Sequence, residues 1–193
     1  MSEFLKNASE QDLESILISE EELSALCDRI ASEITEYYRP FVEAGDELLV
    51  VGVLKGSVVF LADILRRIPL PLQIEFLRAS SYGRSSTSSG VVAIKHAPDP
   101  ELISRSHVLI VEDILDTGNT LYKVVSVLKD QGAKSVKLCT LLDKPSRRKA
   151  DISADFVGRE IPDAFVVGYG LDYADYYRNL PYVGILKPAI YEK

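Results

Sequence analysis

The sequence predicts an α/β fold in which a mainly parallel sheet is flanked by helices. Two apolar segments, residues 108–111 and 136–142, enclose a segment with helical spacing, which is the order of a βαβ unit. An earlier apolar segment at 48–54 is also followed by a helical pattern. With 193 residues, 47% of them hydrophobic, the chain can bury one sizeable core. We therefore expect a single domain over residues 1–193.

The first predicted helix begins at residues 19–22, where Ser-Glu-Glu-Glu forms a capping box. The apolar positions that follow share one helical face: Leu23, Cys27, Ile30 and Ile34. We expect Pro40 to end this helix, because proline lacks a backbone donor. A strand at 48–54 and a helix through 58–65 come next.

A strand at 73–78 leads into a polar segment of small residues at 80–90. The alternation in 91–95 then indicates a strand that returns as a hairpin. Ser- and Gly-rich segments of this length are either surface excursions or functional loops. We interpret 80–90 as a mobile loop whose position after a strand suits an active-site lid.

The most informative segment is residues 108–121, an apolar strand that runs into acids and then a Gly/Thr turn. Because the interior of a parallel sheet does not tolerate unpaired carboxylates, we expect Glu112, Asp113 and Asp116 to emerge where the strand ends. Thr117 is then expected to cap a helix that Gly132 ends. A late strand is predicted at 165–168.

The residues after the acids have the chemistry of a phosphate site. Residues 117–120, Thr-Gly-Asn-Thr, offer backbone N–H groups and hydroxyls at a helix N-terminus. Carboxylates beside a phosphate repel it unless a cation or a hydroxyl-rich sugar lies between them, which suggests a phosphorylated ribose with Mg²⁺. The alternative is a solvated acidic loop with an ordinary cap. The tripeptide 116–118, Asp-Thr-Gly, also occurs in aspartic proteases, but the helical pattern behind it does not fit their all-β body.

Composition excludes several classes of function. The formal net charge of −7 disfavours nucleic-acid binding, which needs a basic surface. No apolar run approaches the roughly 18 residues that span a bilayer, and the polar start does not resemble an export signal. We therefore expect a cytoplasmic protein. Cys27 and Cys139 are expected to be reduced core residues. The basic run 144–149 follows a predicted strand, so it is either a solvated loop or part of the same edge as the acids.

Four motifs resemble those of the hypoxanthine-guanine phosphoribosyltransferases, a purine-salvage branch of the type I phosphoribosyltransferase family. The acidic segment 112–120 is similar to the family's phosphoribosyl pyrophosphate signature. Segments 54–57 (Leu-Lys-Gly-Ser), 80–83 (Ser-Ser-Tyr-Gly) and 167–181 resemble motifs of the 6-oxopurine branch and occur in family order. The resemblance implies the type I phosphoribosyltransferase fold, with a small hood and a mobile lid loop.

The resemblance also implies a reaction, the transfer of phosphoribose from phosphoribosyl pyrophosphate to hypoxanthine or guanine with release of pyrophosphate. Glu112 and Asp113 would hold the ribose hydroxyls, and Asp116 would be the general base at purine N7. The residues implied for the 5′-phosphate are Thr117, Gly118, Asn119 and Thr120. Some relatives have a lysine where this chain has Asn119, so one positive charge near the phosphate is lost.

The remaining roles implied by the resemblance concern the purine, pyrophosphate and metal. Residues implied at the purine are Lys144 at the 6-oxo group, Phe165 stacked on the ring and Val166 at its edge. Those implied at pyrophosphate are Lys55, Gly56 and Arg178, with a cis Leu54–Lys55 bond. Those implied at Mg²⁺ are Glu112, Asp113 and Asp172, and Ser81 and Tyr82 would lie on the lid. Without the resemblance, Lys144 fits a solvated basic loop equally well, and Phe165 and Val166 fit core positions. Asp172 and Arg178 could equally belong to surface ion pairs.

The resemblance further implies a homodimer or a homotetramer. Two other functions stay open at this stage. One is a regulator of the same fold that binds nucleotide and RNA, and the other is an interaction module whose acids are merely solvated. The preference among hypoxanthine, guanine and xanthine does not follow from these residues.

Overall fold

The structure, a computed structural model, describes residues 11–81 and 92–192. The strands are β1 (Leu13–Ile18), β2 (Glu47–Val53), β3 (Gln73–Ser81), β4 (Val92–Lys95), β5 (Ser106–Leu115), β6 (Ser135–Asp143), β7 (Phe156–Glu160), β8 (Val166–Val167) and β9 (Val183–Leu186). The α-helices are α1 (Glu20–Glu43), α2 (Val58–Leu65), α3 (Pro100–Arg105), α4 (Asn119–Asp130) and α5 (Pro188–Tyr191), and a 3₁₀ turn spans Pro145–Arg147. No helix in these ranges is long and apolar enough to cross a membrane.

The main sheet has six strands in the order β4-β3-β2-β5-β6-β7. Every neighbouring pair is parallel except β3 with β4, which form an antiparallel edge. The predicted α/β class is confirmed, and so is the returning strand for residues 92–95. Because β2, β5 and β6 are parallel neighbours, the loops that follow them meet at one edge of the sheet.

Helices cover both faces of this sheet. Strand residues Val50 and Val111 pack on one face with α1 and α2. Val51 and Ile110, one position along, pack on the other face with α3 and α4. This alternation explains why the central strands are apolar throughout.

A second sheet of three antiparallel strands has the order β1-β9-β8. It matches the small hood that the resemblance implied. Its buried residues Ile18, Val166 and Val183 belong to the same core as α1 and α2, so the hood sits over that side of the main sheet.

Three local predictions are wrong. Pro40 lies inside α1, which continues to Glu43, because a proline in the last turn costs only its own donor while its carbonyl still accepts from the Ala44 amide at 3.2 Å. Thr117 does not cap α4: the cap is Gly118, whose left-handed φ of 81° favours glycine. The acids Glu112 and Asp113 lie within β5 rather than beyond it.

The extension of β5 past the acids has a simple cause. Its pairing with β2 ends at Val111, but its pairing with β6 continues to Leu115. One flank of the acidic segment is therefore open to the loop after β2. The Ser19 capping box is confirmed, and both cysteines are free and buried.

Candidate active site

Three loops at the carboxyl edge of the main sheet bring the predicted residues together. The loop after β2 carries Lys55 and Gly56, the loop after β5 carries Asp116 and Thr117, and Lys144 directly follows β6. The segment between β8 and β9 approaches from the hood. Ser81 ends β3, and Tyr82 with the rest of the predicted lid up to residue 91 lies outside the described residues.

Glu112 and Asp113 are adjacent acids on β5, of which Asp113 is buried and Glu112 is half-buried. Burial raises the pKa of Glu112 well above its ordinary value, and the neighbouring Asp113 raises it further. Burial also raises the pKa of Asp113, although its Oδ1 accepts a hydrogen bond from the Ile114 amide at 2.8 Å. Two acids in this state favour a ligand that brings positive charge or hydroxyl donors.

Two glycines let the loops approach each other closely. A Cβ on Gly56 would lie 1.6 Å from Oδ2 of Asp113, and a Cβ on Gly170 would lie 2.0 Å from the Gly56 carbonyl oxygen. The Leu54–Lys55 peptide bond is cis, as predicted. The two glycine contacts place the loop after β2 between β5, which carries the acids, and the hood segment, which connects β8 to β9.

The predicted pyrophosphate residues meet at a group of ion pairs. Lys55 Nζ lies 3.0 Å from Oδ1 of Asp175, and Arg178 lies 2.7 Å from Asp172 and 3.2 Å from Asp175. Arg178 also donates to the Gly170 carbonyl at 2.7 Å. The structure thus joins Lys55 to Arg178 through Asp175, a residue to which the sequence analysis gave no role.

The predicted phosphate loop surrounds a cavity of about 210 Å³. Its lining includes Thr117, Gly118 and Thr120, together with Asp116, whereas Asn119 is exposed as the first residue of α4. The helix N-terminus and the loop amides supply the donors that an anion needs.

Arg148 holds the loop after β5 in place, a role that the sequence did not indicate. Its Nε donates to the Asp116 carbonyl at 3.0 Å and its guanidinium also donates to the Leu115 and Ile152 carbonyls. It forms a further ion pair with Asp143. Only 16% of the Arg148 side chain is exposed, so these contacts are mostly shielded from solvent. The composition of the basic run gave no signal for this role.

A second cavity of about 480 Å³ adjoins the first and is lined by the predicted purine residues Lys144, Phe165 and Val166. Lys144 is buried and donates to the Ala164 carbonyl at 2.6 Å, and burial lowers its pKa. Phe165 is 37% exposed and stacks on Tyr191 with ring centroids 4.7 Å apart.

Asp116 lines both cavities. Its Oδ1 lies 2.8 Å from Nε of Arg147. Nη1 of the same arginine lies 3.4 Å from Oδ1 of Asp163. Asp163 also lines the larger cavity. Arg147 and Asp163 are further residues to which the sequence analysis gave no site role.

The three predicted metal ligands do not form one preassembled cluster. No group of three or more His, Cys, Asp or Glu side chains suited to a metal occurs within residues 11–81 and 92–192. Asp113 and Asp172 both line the larger cavity, but Asp172 is paired with Arg178. The donor set still fits Mg²⁺, which is commonly bound through one or two carboxylates plus substrate oxygens.

A mainly parallel sheet whose carboxyl edge carries the predicted phosphate loop and an adjoining cavity has the architecture of a phosphoribosyltransferase. The family model of the phosphoribosyl transferase domain matches residues 15–174, and the chain belongs to that family.

Within the family, a hypoxanthine-guanine phosphoribosyltransferase of Bacillus subtilis (strain 168) is 51% identical over 181 residues, which cover 94% of this chain and 97% of the relative. A crystal structure of a Staphylococcus aureus hypoxanthine phosphoribosyltransferase superposes with a TM-score of 0.88 at 44% identity, over 96% of this chain and 98% of that one. A Trypanosoma cruzi hypoxanthine phosphoribosyltransferase, solved as a ternary substrates complex, gives a TM-score of 0.86 at 38% identity, over 94% and 99%.

Proposed function

We propose that this chain is a purine-salvage enzyme that transfers phosphoribose from phosphoribosyl pyrophosphate to hypoxanthine or guanine. The observation that carries the proposal is the position of Asp116, which lines both the cavity at the helix N-terminus and the larger cavity beside Lys144. A carboxylate between the proposed phosphate site and the proposed base site lies where the sugar and the purine must join. The relatives named above support the same activity.

In the reaction, a ring nitrogen of the purine bonds to C1 of the ribose while the bond from C1 to the pyrophosphate oxygen breaks. The ribose gains oxocarbenium character, which nearby carboxylates stabilise. Glu112 and Asp113 are assigned to the ribose hydroxyls, and Asp116 accepts the proton at purine N7. The 5′-phosphate is assigned to Thr117, Gly118, Asn119 and Thr120.

Purine recognition is assigned to the larger cavity. Lys144 donates to the 6-oxo group, and adenine, whose amino group does not accept this bond, is disfavoured. Phe165 stacks on the ring and Val166 meets its edge. The partial exposure of Phe165 and the burial of Lys144 support these roles.

The pyrophosphate is assigned to Lys55, Gly56 and Arg178. Both cations are paired with exposed or half-buried aspartates, so pyrophosphate oxygens can replace carboxylate oxygens there. Glu112, Asp113 and Asp172 would hold Mg²⁺, which supplies charge neutralisation on the departing pyrophosphate. The raised pKa values of Glu112 and Asp113 support a cation at this place.

Three further assignments complete the proposal. Ser81 and Tyr82 are assigned to a lid that would keep water from the reacting carbon. The enzyme is cytoplasmic and forms a homodimer or a homotetramer. Exposed apolar residues at Val58, Ile74 and Phe76 support an interface near α2 and β3. The regulator alternative is not proposed, because the acidic net charge opposes RNA binding.

A turnover assay tests the proposal. Purified protein with phosphoribosyl pyrophosphate and Mg²⁺ is incubated in parallel with hypoxanthine, guanine, xanthine or adenine, and pyrophosphate release is followed. We expect release with hypoxanthine or guanine and none with adenine. Absence of release with all three 6-oxopurines would refute the activity.

A further inference from the structure

Arg147 stands beside the carboxylate that the proposed reaction uses. It is the last residue of the 3₁₀ turn after β6, and its guanidinium lies between two acids from different loops. Nε is 2.8 Å from Oδ1 of Asp116, and Nη1 is 3.4 Å from Oδ1 of Asp163. All three side chains line the larger cavity. Arg147 therefore connects the loop after β5 to the segment before β8 across that cavity.

The two oxygens of Asp116 are not equivalent. Oδ1 is buried, and its contact within the described residues is the ion pair with Nε of Arg147 at 2.8 Å. The side chain as a whole is 38% exposed. The exposed surface of this side chain therefore belongs to its other atoms.

A cation in this position does more than neutralise charge. An isolated ion pair between half-exposed side chains contributes little to stability, so stability alone does not account for its geometry. Arg147 is the only side chain in an ion pair with Asp116 in the described part of the protein. Lys144 approaches Asp163 at 4.0 Å instead. The orientation of the Asp116 carboxylate thus depends on Arg147.

We propose that Arg147 is a positioning residue that holds Oδ1 of Asp116 and leaves Oδ2 for the purine. The inference rests on the proposed role of Asp116 as the group that receives the purine proton. Loss of the contact lets the carboxylate rotate about its side-chain bonds. Because proton transfer requires a hydrogen-bond distance and direction, misorientation lowers turnover with the purine and does not weaken the phosphate contacts.

The first test compares Arg147→Gln and Arg147→Lys with Arg159→Gln. Arg159 is a matched control, since it pairs with Glu22 at 3.1 Å on an exposed surface outside the two cavities. For Arg147→Gln we expect kcat/KM for hypoxanthine to fall at least about tenfold, with KM for phosphoribosyl pyrophosphate within about twofold of wild type. Arg147→Lys keeps the charge and should recover part of the loss, and Arg159→Gln should match wild type. Melting temperatures verify that all variants are folded.

A double-mutant cycle with Asp116→Asn identifies the route of the effect. If Arg147 acts through Asp116, adding Arg147→Gln to Asp116→Asn should change kcat/KM by less than about twofold. Independent, multiplicative losses would overturn the inference, and so would wild-type kinetics of Arg147→Gln. A fully active Asp116→Asn would remove its basis. An inactive wild type would instead refute the proposed function, so the two failures are distinguishable.

Discussion

The approach of the hood segment to the loop after β2 can be tested with a pair of glycine substitutions. Gly170 has φ +103°, and an added Cβ would lie 2.0 Å from the Gly56 carbonyl oxygen. Gly45 has φ +96°, and an added Cβ would meet nothing within 4 Å. Alanine at both positions incurs the same type of backbone strain, but only Gly170→Ala adds a clash with backbone beside the proposed pyrophosphate site.

The magnitudes follow from these distances. Gly45→Ala should lower the free energy of unfolding by about 1–2 kcal/mol, the cost of a side chain in the left-handed region, and leave kinetics unchanged. Gly170→Ala incurs this cost too. Real Cβ atoms essentially never lie closer than 3.0 Å to another heavy atom, and the added Cβ would lie 2.0 Å from the Gly56 carbonyl oxygen. Gly56 or Gly170 must therefore also move by about 1 Å. A displacement of that size at a reacting site costs up to about a hundredfold in rate.

The assay is a steady-state measurement of both substrates beside chemical denaturation of both variants. For Gly170→Ala we expect kcat/KM for phosphoribosyl pyrophosphate to fall between about ten- and a hundredfold. For Gly45→Ala we expect wild-type kinetics despite its lower stability. If the two variants are equally active, the packing of Gly170 on Gly56 does not position the loop, and the reasoning fails.

Three other substitutions have definite expectations. Arg148→Gln should lower the melting temperature and kcat/KM together, because the carbonyls of Leu115 and Asp116 lose their buried donor. Lys144→Gln should raise KM for hypoxanthine about tenfold or more in steady-state assays, with little change for phosphoribosyl pyrophosphate. Hydrogen bonds from Lys134 and then His107 lower the pKa of Asp46, so this pair stabilises the fold above the ordinary aspartate pKa and the effect is lost as pH falls. The melting-temperature difference between wild type and Asp46→Asn should therefore be fully present above the ordinary aspartate pKa and disappear as pH falls through the lowered pKa of Asp46.

The sequence could predict the main sheet and its functional edge because both depend on local patterns. Residues 108–111 are apolar on both faces, and the positions Leu121, Val124 and Leu128 that follow are all buried in α4. The order of strand, turn, helix and strand then determines the edge at which Glu112 and Asp113 lie. The signature loop was predictable for the same reason.

The features that the sequence could not predict depend on contacts between distant segments. β1 is short and pairs with β9, which lies more than 160 residues later in the chain, so no local pattern indicates the hood. Arg148 stands in a basic run of exposed appearance, yet its guanidinium satisfies carbonyls of another loop. Gly118 rather than Thr117 caps α4 because the backbone takes a left-handed turn there, and residue type alone does not distinguish that turn from an ordinary threonine cap.

The ion pairs of Lys55 and Arg178 explain how two cations can be held at the site before an anionic substrate binds. The side chains of Lys55 and Asp175 are 53% and 68% exposed, so their ion pair is screened by solvent and readily broken. Arg178 shares Asp175 and remains anchored by the Gly170 carbonyl, which holds its guanidinium in place when carboxylate contacts are exchanged. Under the proposed function, pyrophosphate, which carries several charged oxygens, would compete with a single exposed carboxylate for both cations. Asp175 would then neutralise Lys55 and Arg178 between turnovers and release both to the substrate.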